Sequence, residues 1–202
     1  MLTWFKQPKQ RRTAETRERI LRAATHVFAS HGYAAGATNR IAEAAGVSIG
    51  SLYQYFPNKD AILVELVKDH VNRGIGIIQR LLSTGALPGS LDDQIRLFVR
   101  ATIENHLDDP DLHRVLFEEA PRPPGLLDML HTAESWIVTA AHDLLAAHPE
   151  VNVADTTTAA RLVVTAIESL VHRHFAAGQP VNVRRFEDEL VTMLSRHLHG
   201  CP

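Results

Sequence analysis

Apolar residues recur one helical turn apart along almost the whole chain, and nowhere do they alternate in the period of two that a half-buried strand needs. Ile20, Leu21, Ala24, Val27 and Phe28 make the first such stripe. A longer one runs from Ile62 through Leu66, Val71 and Ile78 to Leu82, and another through Ile95, Phe98, Val99, Thr102 and Ile103. Further stripes follow over 126–147 and 159–177, and a heptad-like seam through Val183, Phe186, Leu190, Met193 and His197. The pattern predicts an all-α fold of about nine helices.

Punctuation sets the expected ends. His31-Gly32 closes the first helix, Thr38 is a good N-cap for the second, and Gly46 ends it. Ser48 can cap the third, Pro57 breaks it, and Asn58 can start a long fourth in which Gly74 and Gly76 mark a candidate bend. Ser90 with Asp93 resembles a capping arrangement, and Leu112–Phe117 reads as a short helix after Asp109-Pro110. The strongest break is Pro121-Arg122-Pro123-Pro124-Gly125.

Charge is unevenly spread. Residues 1–60 hold nine Lys/Arg against four acids, a balance of +5, while the remainder carries −7. A basic first third suits an anionic partner for that third alone. With 45% hydrophobic and 22% charged residues the composition is that of an ordinary globular chain. One cysteine, Cys201, excludes an internal disulfide and a cysteine-rich metal site. No stretch is long and apolar enough for a membrane span, and the N-terminal residues have no apolar leader core, so a cytoplasmic protein without a membrane partner is expected.

Thr38–Lys59 has the mechanics of a helix-turn-helix. Ile41, Ala42 and Ala45 give the first helix a small apolar face, Gly46 supplies a tight turn, and Val47 plugs the angle. Leu52 and Phe56, four apart, turn one side of the second helix to the core. Ile49, Ser51, Tyr53, Gln54 and Tyr55 are left to project outward or sideways, a presentation that fits a major groove.

Residues 13–62 resemble the tetracycline-repressor (TetR) family of bacterial regulators. The likeness is carried by Ile20-Leu21, Ala23-Ala24, Phe28, Gly32-Tyr33, Thr38, Ile41-Ala42, Ala45-Gly46-Val47-Ser48, Leu52-Tyr53, Tyr55-Phe56 and Lys59. It implies a three-helix DNA-binding domain over 1–60 and a helical effector-binding and dimerisation bundle over 61–202. Thr38, Tyr53, Tyr55 and Lys59 would hold phosphates; Asn39, Arg40, Ile49, Gly50, Ser51 and Gln54 would face base edges; Ser48 completes the set at the start of the reading helix. Ile49 departs from the family pattern, where many members carry lysine. The Lys9–Arg12 run could form an N-terminal arm on DNA.

In such a regulator the bundle encloses an effector pocket. The candidates are Phe98, Thr102, Asn105, His106, Phe117, Met129 and Trp136, with Glu118 available to a cation, and the expected effector is an uncharged or cationic lipophilic molecule. The helix over 159–177 is apolar around so much of its circumference that it needs cover on two sides. Ala159, Val163, Ala166, Ile167, Leu170 and His174, with Phe186, Leu190, Met193 and Leu194 of the last helix, therefore make the expected four-helix interface of a homodimer.

Other signals lead away from catalysis. His172/His174 and His197/His199 are spaced by two, which sends the rings to different sides of a helix and suits no metal. Gly74-Ile-Gly76 lacks both the third glycine and the preceding strand of a dinucleotide loop, and there is no Gly-x-Ser-x-Gly elbow. No catalytic residue, metal or cofactor is expected. The function implied is a ligand-responsive transcriptional regulator, a repressor, that binds a palindromic double-stranded operator as a dimer and is released by a small effector. The rivals are a small helical hydrolase using the histidines and an architectural helix-turn-helix protein without effector.

Overall fold

A computed structural model describes residues 7–85, 87–107, 113–115, 121–122, 124–176 and 182–200. Among them there are eight α-helices and no strand: α1 (Gln7–Ala35), α2 (Thr38–Ala44), α3 (Ile49–Tyr55), α4 (Lys59–Ser83), α5 (Leu91–Leu107), α6 (Pro124–Ala147), α7 (Thr156–Ala176) and α8 (Val183–Leu198). Phe117, Glu118 and most of the expected 112–117 helix lie outside the described residues. The chain forms two compact units, residues 1–68 with 111–122 and residues 69–110 with 123–202, and the division falls inside α4 between Lys68 and Asp69.

The first unit is built on the stripe of α1. Ile20, Ala24 and Phe28 are fully enclosed, as are Ile41 of α2, Leu52 of α3 and Ile62 and Leu63 of α4. Helical geometry fails at Gly32 (φ 73°, ψ 166°), where α1 kinks before its last turn. Gly46 takes φ 63°, the left-handed conformation the tight turn demands and glycine adopts without a Cβ clash. Ser48 caps α3 by accepting from the Ser51 amide at 3.1 Å, and Asn58 accepts from Ala61 at the start of α4. Thr38 is not the cap of α2: Ala37 holds that position without a side-chain bond, and the Thr38 hydroxyl goes to Tyr53 instead.

In the second unit α6 packs on α7, and α5 packs on α7 and α8. Their core joins Leu91, Ile95, Val99 and Ile103 of α5 to Val138 and Leu145 of α6, Ala160, Val163, Ile167 and Val171 of α7, and Leu190, Leu194 and Leu198 of α8. Polar clamps fasten α8 to α5. Arg96 and Arg100 donate to the buried carboxylate of Glu187 at 2.9 and 2.7 Å, and Ser195 donates to Asp92. These arginines hold the Glu187 carboxyl below its ordinary range against the opposing effect of burial, since a buried carboxylate persists only when paired. The expected bend in α4 is absent: the helix runs unbroken through Gly74 and Gly76. Gly74 instead lies where Asn105 approaches, and a Cβ there would come within 3.3 Å of its amide nitrogen.

Burial sorts the expected interface residues by the side of the helix they occupy. Ala159, Val163, Ile167, Leu190 and Leu194 are buried in the unit's own core and have no surface to give a second subunit. His174 stacks on Phe186 at 4.2 Å, closing the α7–α8 seam within the unit. The exposed large apolar residues of these two helices are Leu162 and Leu170 of α7 and Val183 and Met193 of α8, with half-buried Ala166 between the first two. The outward stripe of α7 is thus 162-166-170, one residue out of phase with 163-167-171.

Candidate nucleic-acid interface and effector cavity

In the first unit α3 stands on Leu52 and on Phe56 just beyond it, both buried, and turns Ile49, Gly50, Tyr53 and Gln54 outward. Ser51 and Tyr55 are half-buried at its sides, and Ser48 is exposed at its start. Asn39 and Arg40 are exposed on α2. The Thr38 and Tyr53 hydroxyls lie 3.1 Å apart and tie the start of α2 to the outer face of α3. Both are thereby oriented before any partner arrives.

Lys59 is more engaged than a free surface lysine. Its ammonium donates to the carbonyls of Tyr33 and Ala34 at 2.8 and 3.2 Å and sits 4.2 Å from the centre of the Tyr33 ring. It therefore satisfies carbonyls at the negative end of α1. An ammonium has three donors, so one remains for an outside acceptor. The Tyr33 hydroxyl bonds to Asp60, and burial with that carboxylate pushes the phenol well above its usual range. Arg17 is likewise committed: it pairs with Glu65 at 2.7 Å and lies over the Phe56 ring.

The second unit encloses an apolar cavity of about 90 Å³. Its walls are Ile78 and Leu82 of α4, a stripe of α5 that includes Phe98 and Thr102, Ile137, Ala140 and Leu144 of α6, and Val163, Ile167 and Glu168 of α7. Of the expected pocket residues, Phe98 and Thr102 line it. Trp136 is exposed and does not: the wall falls on Ile137, the next residue. Met129, Asn105 and His106 are also outside the lining.

His106 is buried and meets Glu168 at 4.0 Å. Its Nδ1 donates to the Thr102 carbonyl at 2.8 Å. The His106 and His70 rings meet edge-on at 5.4 Å, and the Asn105 amide lies 3.3 Å from His70. Burial above all keeps both rings neutral. His70 is lowered to about 3, with the charges of His106 and Arg73 adding to the effect; His106 is lowered to about 4, its bond to Thr102 partly opposing burial. Sequence reasoning missed Glu168 and His70. A glutamate and a histidine on a helix read as solvent face until the packing places them.

The C-terminal Ser195 and His199 do not form a nucleophile and base. The serine hydroxyl lies 3.1 Å from His199 Nδ1 but donates its proton to Asp92, while that Nδ1 also lies 2.9 Å from the carbonyl of Ser195 and Nε2 faces Glu150 at 3.2 Å. These bonds fasten the end of α8.

A short helix with a buried underside and an exposed outer face, carried by a tight glycine turn, defines a helix-turn-helix protein of the major-groove-binding class. The family described as bacterial regulatory proteins, tetR family, matches residues 20–66, and the tetracyclin repressor-like C-terminal domain matches residues 90–198. The chain belongs to the tetR family of transcriptional regulators.

Among its relatives, the transcriptional activator FasR of Mycolicibacterium smegmatis is 33% identical over 108 residues, which is 52% of this chain and 46% of FasR. This chain therefore spans about half the length of that relative. The regulator YdgC of Bacillus subtilis is 27% identical over 165 residues, 81% of this chain and 83% of YdgC. The solved structure of FadR from Bacillus subtilis, in complex with stearoyl-CoA, superposes with a TM-score of 0.71 at 20% identity, covering 90% of this chain and 99% of that one. That likeness concerns the fold. No described helix is long and apolar enough to cross a membrane.

Proposed function

We propose that this chain is a ligand-responsive transcriptional repressor that binds a palindromic DNA operator as a homodimer and leaves it when a small lipophilic effector fills the cavity of the second unit. The observation that carries the reading is α3, whose Ile49, Gly50, Tyr53 and Gln54 stand outward over a buried Leu52. Gln54 can pair with adenine N6/N7, Arg40 with guanine O6/N7, and Ile49 can meet a thymine methyl. Thr38, Tyr53 and the remaining donor of Lys59 suit phosphate oxygens.

The dimer is assigned to the outward stripe Leu162, Ala166 and Leu170 with Met193. Two-fold symmetry about that stripe would place two reading helices about 34–36 Å apart, one turn of DNA. An effector acts by differential affinity: it favours a state in which that spacing is lost. Support for a lipophilic effector comes from the aliphatic cavity walls and from the acyl-CoA bound by FadR.

The test is selection of binding sites from fragmented genomic DNA with the purified chain, followed by footprinting. A protected palindrome with half-sites on one face of the duplex is expected, and Leu170→Glu should yield a monomer by sedimentation that no longer protects it. Selection of no sequence above random DNA would refute operator binding. A Leu170→Glu protein that stays dimeric would move the interface elsewhere.

A further inference from the structure

We propose that the cavity of the second unit is built for a monocationic amphiphile, an apolar body carrying one protonated amine or quaternary ammonium head that seats against Glu168. The inference rests on the effector reading above and narrows it to a ligand class.

Among the described residues the walls are apolar except at Gln94, Thr102 and Glu168. Thr102 already donates its hydroxyl to the Phe98 carbonyl at 3.0 Å, and Gln94 donates from its amide to the Pro88 carbonyl at 2.7 Å. The remaining polar wall is Glu168, an acceptor when ionised. Among the described residues no lysine or arginine lines the cavity. The polar chemistry offered to a ligand is therefore mostly that of acceptors, which recognise donors and positive charge.

Glu168 is placed for such a contact. About half of its side-chain surface (49%) is open, while protein surrounds the carboxyl closely enough for loss of solvent to raise it to about 7. Glu168 thus borders the cavity from a solvent-exposed position on α7. The charge of Glu134, one turn before Ile137 on α6, adds to the rise. The basic group beside Glu168 is His106, which burial keeps neutral, so it gives the carboxylate no countercharge. A ligand cation supplies one, and in enclosed surroundings that pairing is stronger than in water.

The same arrangement opposes an anionic head. A fatty acid or an acyl-CoA would bring negative charge to a wall that already holds Glu168, with no arginine or lysine among the described lining residues to receive it. On this ground the ligand class differs from that of FadR despite the shared fold.

The experiment is calorimetric titration of the full chain with three probes of equal tail length, octyltrimethylammonium, 1-octanol and octanoate, all kept below micelle-forming concentrations. The cation should bind about tenfold or more tighter than the alcohol, and octanoate weakest, as expected for a charge-assisted contact. Glu168→Gln should erase the cation's advantage and leave octanol within about twofold of its original affinity. Leu144→Trp, which fills the cavity, should weaken all three. Octanoate binding as tightly as the cation, a ranking unmoved by Glu168→Gln, or binding by none of the probes would each overturn the proposal. Operator release is scored separately. If octanol or octanoate releases DNA and the cation does not, the effector reading stands and this proposal falls. If the cation binds through Glu168 and releases nothing, the head-group assignment stands and the effector reading falls.

Discussion

The two units use the same helical vocabulary for opposite purposes. The first packs a continuous core under α3 and spends its polar groups holding a surface: Thr38 to Tyr53, Lys59 to the end of α1, Arg17 to Glu65. The second leaves a void among its helices and places titratable groups near it: His70 and His106, both buried, and the exposed Glu168 on its wall. A surface that must be presented rigidly needs a filled interior, and a site that must receive a guest needs an unfilled one.

The largest expected contrast is in packing. Phe28 has no exposed surface, so Phe28→Ala should cost about 3–5 kcal/mol. Phe98 faces the cavity and is half-buried, so Phe98→Ala should cost roughly half as much, because less contact is lost where no neighbour exists on one side. Urea unfolding with segment-resolved hydrogen exchange measures both. Equal losses would mean that the cavity is closed in solution.

Next comes pH. His70 and His106 are held far below the ordinary imidazole value of about 6.5. The unfolded chain takes up protons below 6.5 while the folded one does not, so their stabilisation is intact above 6.5 and drains away as pH falls toward about 4. At about 1.4 kcal/mol per pKa unit the pair forfeits a few kcal/mol. Glu168 has the opposite sign: its raised value makes the fold less stable as pH rises from about 4.5 through 7, a smaller effect because its side chain is exposed. Hydrogen exchange at pH 6.5 and 4.5 should show α5 losing protection well before α1; parallel loss would erase the distinction between the units.

Smaller effects sharpen the account of the DNA-facing surface. Gln54→Ala should alter base preference by about 1–3 kcal/mol at one position while leaving non-specific affinity nearly unchanged. Site selection with identical preferences before and after would remove Gln54 from the reading set. Lys59→Ala should lower the salt dependence of binding by about 1 unit and destabilise the first unit by roughly 1 kcal/mol through the uncapped end of α1. Loss of stability with an unchanged salt slope would make Lys59 a structural residue only.

Legibility in the sequence divides along the same line. Gly46, Ser48, Asn58 and the Ser90–Asp93 pair act within a turn or two of themselves, and each does what its residue type dictates locally. Thr38 was expected to cap α2 because threonine does so when nothing else competes; a partner fifteen residues away competes here. On α7, apolar residues around most of the circumference foretell two contacts without saying which stripe meets which, so the expected set mixes the buried Val163 and Ile167 with the outward Ala166 and Leu170 and leaves out Leu162. The cavity is harder still. A void is a property of several helices at once, and a one-residue error of phase puts Trp136 where Ile137 belongs.

The clamps between α5 and α8 bear on how the chain is made. Domains form from the N-terminal side during synthesis, and α8 emerges after the other seven helices. Until it does, Arg96, Arg100 and Asp92 wait on α5 without Glu187 and Ser195, and the apolar face formed by Ile95 and Val99 stands uncovered. The first unit has no such dependence within residues 7–68. A message cut short before α8 therefore yields a product that quality-control proteases can recognise by that exposed face.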